Sequence, residues 1–325
     1  MPPGAERAAF FVAFPRYISI GRPFFPHSPG THRALPMPKT CFILNPTAGP
    51  SQRHDMPALI AQHFGTLEPE YEIRLTEHAG HAVELARTAA AEGFQVVAAI
   101  GGDGTVNEVG RGLLGTATAL GIVPQGSGNG LARHLKVPLG LPAALQRLAT
   151  PDFSRMDVGV INGHPFFCTA GLGFDAHVSQ HFAQAGSRGL STYLRVTLRE
   201  YGSYRAVPIR ADLDGRVEET DCYVLAFANA SQYGNNAYIA PLADLRDGLL
   251  DVCLIDALPV ARALKVSLGM VLGTLPQSKA AEYFRVPRAR VTAQDPIGFH
   301  VDGDYLGHTT EFEVDLMPLA LHVAV

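Results

Sequence analysis

The chain has no tryptophan, and only four of its 26 basic residues are lysines: Lys39, Lys136, Lys265 and Lys279. None stands in a G-x-x-x-x-G-K-[ST] run, so an ordinary P-loop is excluded and phosphate must be held by backbone amides, hydroxyls and arginines. Cysteine is scarce as well. Cys41, Cys168, Cys222 and Cys253 lie far apart within apolar runs, which argues against disulfides and metal ligation and for reduced core residues of a cytoplasmic protein. No apolar stretch approaches the roughly 20 residues of a membrane span, and the AAFFVAF run at 8–14 is closed by Pro15 and Arg16, so it does not read as a secretion signal. A net charge of −4 leaves no basic field for nucleic acid. His300 and Asp302 form an H-x-D pair with His308 nearby, but without H-E-x-x-H or a second metal cluster a metal hydrolase is disfavoured.

With 325 residues, 47% of them hydrophobic and 17% charged, the chain can bury two cores of ordinary size. Residues 1–36 hold seven prolines and no sustained periodicity, and are expected to be disordered or a non-native start, Met37 being the alternative beginning. From 40 to 149 strand-like and helix-like patterns alternate: strands at 40–45, 70–76, 95–100 and 119–123, helices at 54–65, 80–93 and 105–114. That alternation predicts a doubly wound, mainly parallel α/β domain over 37–150. After Thr150 the texture changes to runs rich in β-branched and aromatic residues with Gly, Asn and Asp turns, at 155–161, 164–171, 207–213, 217–229, 249–256, 284–293, 297–301 and 311–316. A second, mostly antiparallel domain over 151–309 is expected, with helical insertions at about 176–203 and 259–275.

Three glycine-rich turns carry the chemistry. GGDGTVNEVGRGL (101–113) follows the apolar VVAAI (96–100), NPTAG (45–49) ends TCFIL (40–44), and PQGSGNGLARHL (124–135) follows ALGIV (119–123). Such strand-to-helix corners expose backbone N–H groups to a polyphosphate, and ligands of open α/β sheets gather at the carboxyl ends of strands. Asp103, between Gly102 and Gly104, sets a carboxylate where phosphates and Mg²⁺ would meet.

Together and in this order, the turns resemble the diacylglycerol kinase catalytic family, which includes bacterial lipid kinases and the sphingosine and ceramide kinases. The resemblance runs from about Pro38 to the C-terminus. It implies a NAD kinase-like pair of domains, the second a β-sandwich, with 310–325 returning to the first. A bare GGDG also occurs in NAD kinases and phosphofructokinases; NPTAG and GSGNGLAR favour the lipid kinases. On this resemblance Asn45, Pro46 and Gly49 cover the nucleotide phosphates, and Thr76 donates a hydroxyl nearby. Gly101, Gly102, Gly104, Thr105 and Asn107 cradle ATP, Gly126, Ser127 and Asn129 complete the wall, and Asp103 organises Mg²⁺ or the acceptor hydroxyl. Many bacterial members carry Asp where this chain has Gly130, a departure toward the sphingosine kinase form. Taken alone, Thr76 also reads as a helix N-cap, and Arg133, one helical turn on from Asn129, as a solvated helix arginine in preference to one facing the same crevice.

In the second half, DLRDGLLDV (244–252) matches the family's D-G-x-x-D signature, which implies a structural Mg²⁺ held by Asp247 and by the backbone carbonyls at Asp244 and Leu249; by spacing alone it is a β-turn. FANASQYGNNAYIAP (227–241) resembles the segment lining the lipid cleft, with Asn229 as the substrate contact. HVDGDYLG (300–307) aligns with the family's D-G-E motif, making Asp304 the general base, one methylene shorter than the usual glutamate. The resemblance thus implies an ATP- and Mg²⁺-dependent lipid kinase, diacylglycerol favoured over a sphingoid base, in peripheral contact with a membrane and compatible with a homodimer. An NAD kinase-like enzyme and a catalytically silent nucleotide-binding regulator are the alternatives. The segments 189–205 and 261–275 combine basic residues with apolar faces suited to anionic lipid or to packing on the sandwich.

Overall fold

Three of the four expected parallel strands are short, apolar and buried on both faces, the pattern of a sheet covered by helices on each side. In the computed structural model, which describes residues 37–49, 55–64, 70–185, 190–256, 266, 268–277 and 280–325, β1 (Thr40–Leu44), β3 (Val96–Gly101) and β4 (Ala119–Pro124) are buried throughout. With the edge strand β2 (Tyr71–Leu75) they run parallel in the order β2-β1-β3-β4. Alternate side chains feed two cores. Phe42, Ala98, Ile100 and Val123 pack with α1 (Met56–His63) and α5 (Leu141–Ala149), while Cys41, Ile43, Val97 and Ile122 pack with α2 (His81–Ala91) and α3 (Asp103–Leu113). The result is a doubly wound sheet. α5 extends the alternation by one helix that the sequence reading does not include.

Helix starts follow local chemistry. Asp55 caps α1 through the Ala58 amide, 3.2 Å, with Pro57 in the first turn. α2 has no side-chain cap of its own, so Thr76 is not its N-cap. Glu108 of α3 instead accepts the Gly80 and Ala82 amides, at 2.9 and 3.2 Å.

The second half is the β-sandwich, built from β5 (Phe153–Ile161), β6 (His164–Phe166), β7 (Thr169–Gly173), β8 (Val207–Leu213), β9 (Arg216–Ala228), β10 (Leu250–Asp256), β11 (Glu282–Val286), β12 (Arg288–Val301) and β13 (Asp304–Ala324). Its interior holds Phe166, Leu172, Phe227, Val252, Phe299 and Phe312. α6 (Phe174–Gln184) and α7 (Leu190–Glu200) follow β7, and a further core of Phe174, Val178, Val196, Tyr223 and Ile255 lies beneath them. Of the expected helix at 259–275, residues 259–265 and 267 fall outside the described residues, and 266 and 268–272 are helical. Residues 1–36 lie outside them entirely.

Two expectations of strand layout are corrected. The run 164–171 is two strands, because the Phe167, Cys168 and Thr169 amides leave the ladder to donate to Asp302. The run 311–316 is part of the 21-residue β13, which pairs antiparallel with β12 and β5 before its end pairs parallel with β4, Val323 opposite Leu120. A register shift between Met317 and Leu321 re-aims it there, and the buried Asp157 accepts the Leu319 amide within the shift, at 2.6 Å.

Candidate active site

Register brings the three glycine turns together. Leu44 pairs with Ile100 and Ile100 with Val123, so the loops that follow these strands leave the sheet side by side at its carboxyl edge. Their contacts are tight. Asn45 donates from its side-chain amide to Thr105 Oγ1 at 3.2 Å, while its oxygen accepts the Thr47 amide and hydroxyl at 3.0 and 2.8 Å. Gly49 has φ +49°, and a Cβ there would stand 1.8 Å from the Gln125 carbonyl oxygen; at Gly126 a Cβ would meet Gly102 Cα at 2.6 Å. Only glycine lets the first and second loops lie against the third.

Asp103 closes this arrangement. Its two oxygens accept the Asn129 amide at 2.8 Å and the Gly130 amide at 2.7 Å, locking the start of α3 to the start of α4 (Gly130–His134). Burial pushes its carboxyl up to about 6, the two amide bonds hold it down in part, and the nearby Asp302 charge adds to the rise. Asn129 takes a left-handed φ of 51° and bridges Gly126, donating to its carbonyl at 2.7 Å and accepting its amide at 2.9 Å. Gly101 and Gly102 lie beneath Thr105 and Gly126, and Ser127 and Pro46 are exposed on their loops. Thr76 is half-buried, its amide donating to Leu44 at 3.0 Å beside the first loop.

The sandwich supplies the other wall. Asp304 is exposed, its Oδ2 3.5 Å from where a Cβ of Gly104 would lie, so the proposed base stands over the first turn of α3. Its position is fixed from behind. His300 accepts the Gly303 amide at Nδ1, 3.3 Å, and its Nε2 donates to buried Asp175, 3.2 Å, which also accepts the Tyr233 hydroxyl at 3.0 Å. Asp302 accepts three backbone amides and the Asn107 side chain, the last at 2.8 Å. The H-x-D pair is therefore spent on structure. Arg133 is half-buried and donates to Gly128 O at 3.0 Å and to Asn236 Oδ1 at 3.1 Å, joining the third loop to the 233–236 turn.

Several expected site residues face elsewhere. Asn107 turns away from the phosphate loops toward Asp302 and the Pro165 carbonyl. Asn229 is 1% exposed and spends its amide on the Asp157 and Phe167 carbonyls, at 2.9 and 3.0 Å, so no surface is left for a lipid head group. Asp247 Oδ1 accepts the Leu249 amide at 2.9 Å, its other oxygen pairs with Arg285, and Asp244 accepts the Arg246 amide at 3.0 Å. A guanidinium thus sits where the implied structural magnesium would bind, and Arg285 reaches on toward buried Asp251, whose Oδ2 has no hydrogen-bond partner. As arranged, both oxygens of the Asp247 side chain are engaged, so that carboxylate does not fit the ion. An open cavity of about 590 Å³ lined by Ile209, Arg210, Glu219 and Thr292 lies on the sandwich and includes no residue of the glycine loops. The convergence of the loops, not that cavity, marks the site.

The chain is similar to known proteins over both halves. Residues 39–161 match the diacylglycerol kinase catalytic domain, and residues 168–325 match the YegS C-terminal NAD kinase beta sandwich-like domain. The chain is 33% identical to the "Probable lipid kinase YegS-like" protein of Chromohalobacter salexigens over 78% of its own length and 83% of that protein's. It is 27% identical to the diacylglycerol kinase of Bacillus subtilis, over 83% and 91% of the two chains. Its fold matches the crystal structure of a diacylglycerol kinase from Bacillus anthracis str. Sterne with a TM-score of 0.69 at 21% identity, covering 88% and 96% of the two chains. The chain belongs to the lipid kinase family built from a diacylglycerol kinase catalytic domain followed by a YegS-type β-sandwich.

Proposed function

We propose that the protein transfers the γ-phosphoryl group of ATP to a hydroxyl of a membrane lipid, with diacylglycerol as the favoured acceptor. The observation that carries this reading is the meeting of three glycine loops at one sheet edge with Asp304 over Gly104. The loops offer backbone N–H groups to the triphosphate, and Asp304 takes the acceptor's proton as its oxygen bonds to phosphorus and the bond to ADP breaks. Asp103 holds the loops in register. Each of its oxygens has a lone pair left after the amide bonds, which fits a magnesium ion carried mainly by the triphosphate; that ion would neutralise charge on the transferred group.

Among the described residues no helix is long and apolar enough to cross a membrane. Peripheral contact with the lipid surface is supported by Leu268, Val271 and Leu272, which are 58%, 60% and 64% exposed on one helical segment. A sphingoid base is the second acceptor, favoured by Gly130 in place of the family's aspartate; a Cβ there would meet Cys168 Sγ at 3.2 Å, so a side chain would need its neighbours to shift by a few tenths of an ångström.

The deciding experiment supplies the purified protein with Mg²⁺, labelled ATP and micelles of diacylglycerol, monoacylglycerol, sphingosine, ceramide or phosphatidylglycerol. Labelled diacylglycerol phosphate is expected. Transfer to NAD or a sugar phosphate with every lipid inert would refute the reading, and ATP binding without any transfer would favour a regulator.

A further inference from the structure

Away from the loops, α6 and α7 hold a cluster of ionisable side chains that phosphoryl transfer does not use. His177 and His181 stand one turn apart on α6, Glu200 ends α7 against them, and one ligand atom from each lies within 4.8 Å of the others. His177 Nε2 is 3.1 Å and His181 Nε2 3.8 Å from the same oxygen, Glu200 Oε2. A tetrahedral ion bound at about 2.0–2.2 Å spaces its ligand atoms roughly 3.3 Å apart, so small side-chain movements bring all three onto one centre.

The outer contacts point the donor atoms inward. His181 Nδ1 donates to the His177 carbonyl at 2.9 Å, which leaves Nε2 as the lone-pair nitrogen facing the cluster. Arg199 donates to Glu200 Oε1 at 2.7 Å and so turns Oε2 toward the histidines. The side chains of His177, His181 and Glu200 are 26%, 29% and 13% exposed, which gives an ion a path from solvent.

We propose that His177, His181 and Glu200 form a binding site for a divalent transition metal of the zinc class, and that the bound ion ties α6 to α7. Two imidazoles and one carboxylate suit Zn²⁺, Co²⁺ or Ni²⁺, whereas Mg²⁺ and Ca²⁺ call for a set of oxygens. Water completes the coordination. As the ion enters, His177 exchanges its Nε2 proton through solvent for one on Nδ1, so that the neutral ring offers Nε2 to the metal. The site uses no residue of the phosphate loops, so it stands or falls apart from the kinase reading.

The test uses the full, untagged chain, stripped with EDTA and dialysed. Zn²⁺ is titrated in competition with a fluorescent chelator, and Co²⁺ is followed by its visible absorption. The parent should bind one equivalent with the absorption of tetrahedral cobalt, and the double variant His177→Ala, His181→Ala should bind at least tenfold more weakly. Zn²⁺ but not Mg²⁺ should raise the parent's melting temperature. Equal binding by parent and double variant, or no binding by the parent, overturns the assignment. Should the double variant fail to fold, Glu200→Gln, which keeps the side-chain volume, is held to the same comparison.

Discussion

At the scale of single residues the proposed function gives the two acids of the site separate tasks. Asp304 is exposed and follows a tight turn, which suits the proposed role of reaching an incoming hydroxyl. Asp304→Asn is expected to lower turnover by roughly 10²–10⁴-fold while calorimetry shows ATP binding intact; activity near the parent's would return the segment to a plain hairpin turn. Asp103 is a clamp, and its raised carboxyl makes stability depend on pH. The native state holds the proton more tightly than the unfolded chain, so this contribution is full below about pH 4 and is lost as pH rises through about 6. Denaturant unfolding between pH 4.5 and 7.5 should therefore show the parent losing on the order of 2 kcal/mol relative to Asp103→Asn across that range. Parallel curves would mean the carboxyl is not perturbed.

At the scale of elements, three strand ends in register place three loops in contact, and glycines remove the side chains that would hold them apart. Gly126→Ala sets a methyl 2.6 Å from Gly102 Cα and 2.9 Å from Asn129 Oδ1, which no rotamer relieves. We expect the loop to move and affinity for a non-hydrolysable ATP analogue to fall at least tenfold, since a misplacement of about 1 Å costs on that order or more. Gly140→Ala serves as the control, because nothing lies within 4 Å of its Cβ position. Equal affinities in the two variants would show that the close approach of the loops does not shape the nucleotide site.

For the whole molecule, β13 links the two halves. It leaves the sandwich through the shift held by Asp157 and ends beside β4, with Val323 1% exposed in the core under α2 and α3. Val323→Asp buries an unpaired charge there and should cost about 4 kcal/mol or more. Because the strand belongs to both sheets, calorimetry should record one transition, lowered as a unit. Two transitions with only one displaced would mean that the halves unfold independently.

The amino-acid sequence by itself determined the alternation of buried strands and amphipathic helices, the antiparallel character of the second half and the places of the glycine turns. These are local demands: residue spacing sets which face is apolar, and a turn needing left-handed φ or close backbone approach selects glycine nearby. Tertiary structure alone decided which groups satisfy the buried acids. Asp302 finds Asn107 across 195 positions, and Asp157 finds Leu319 across 162. Asn229 closes on carbonyls of two other segments, and Arg285 meets Asp247 only because β11 pairs with β10. A buried carboxylate or amide must be partnered, but any donor or acceptor that the fold brings close will serve, so its partner leaves no periodic or spaced signal in the chain.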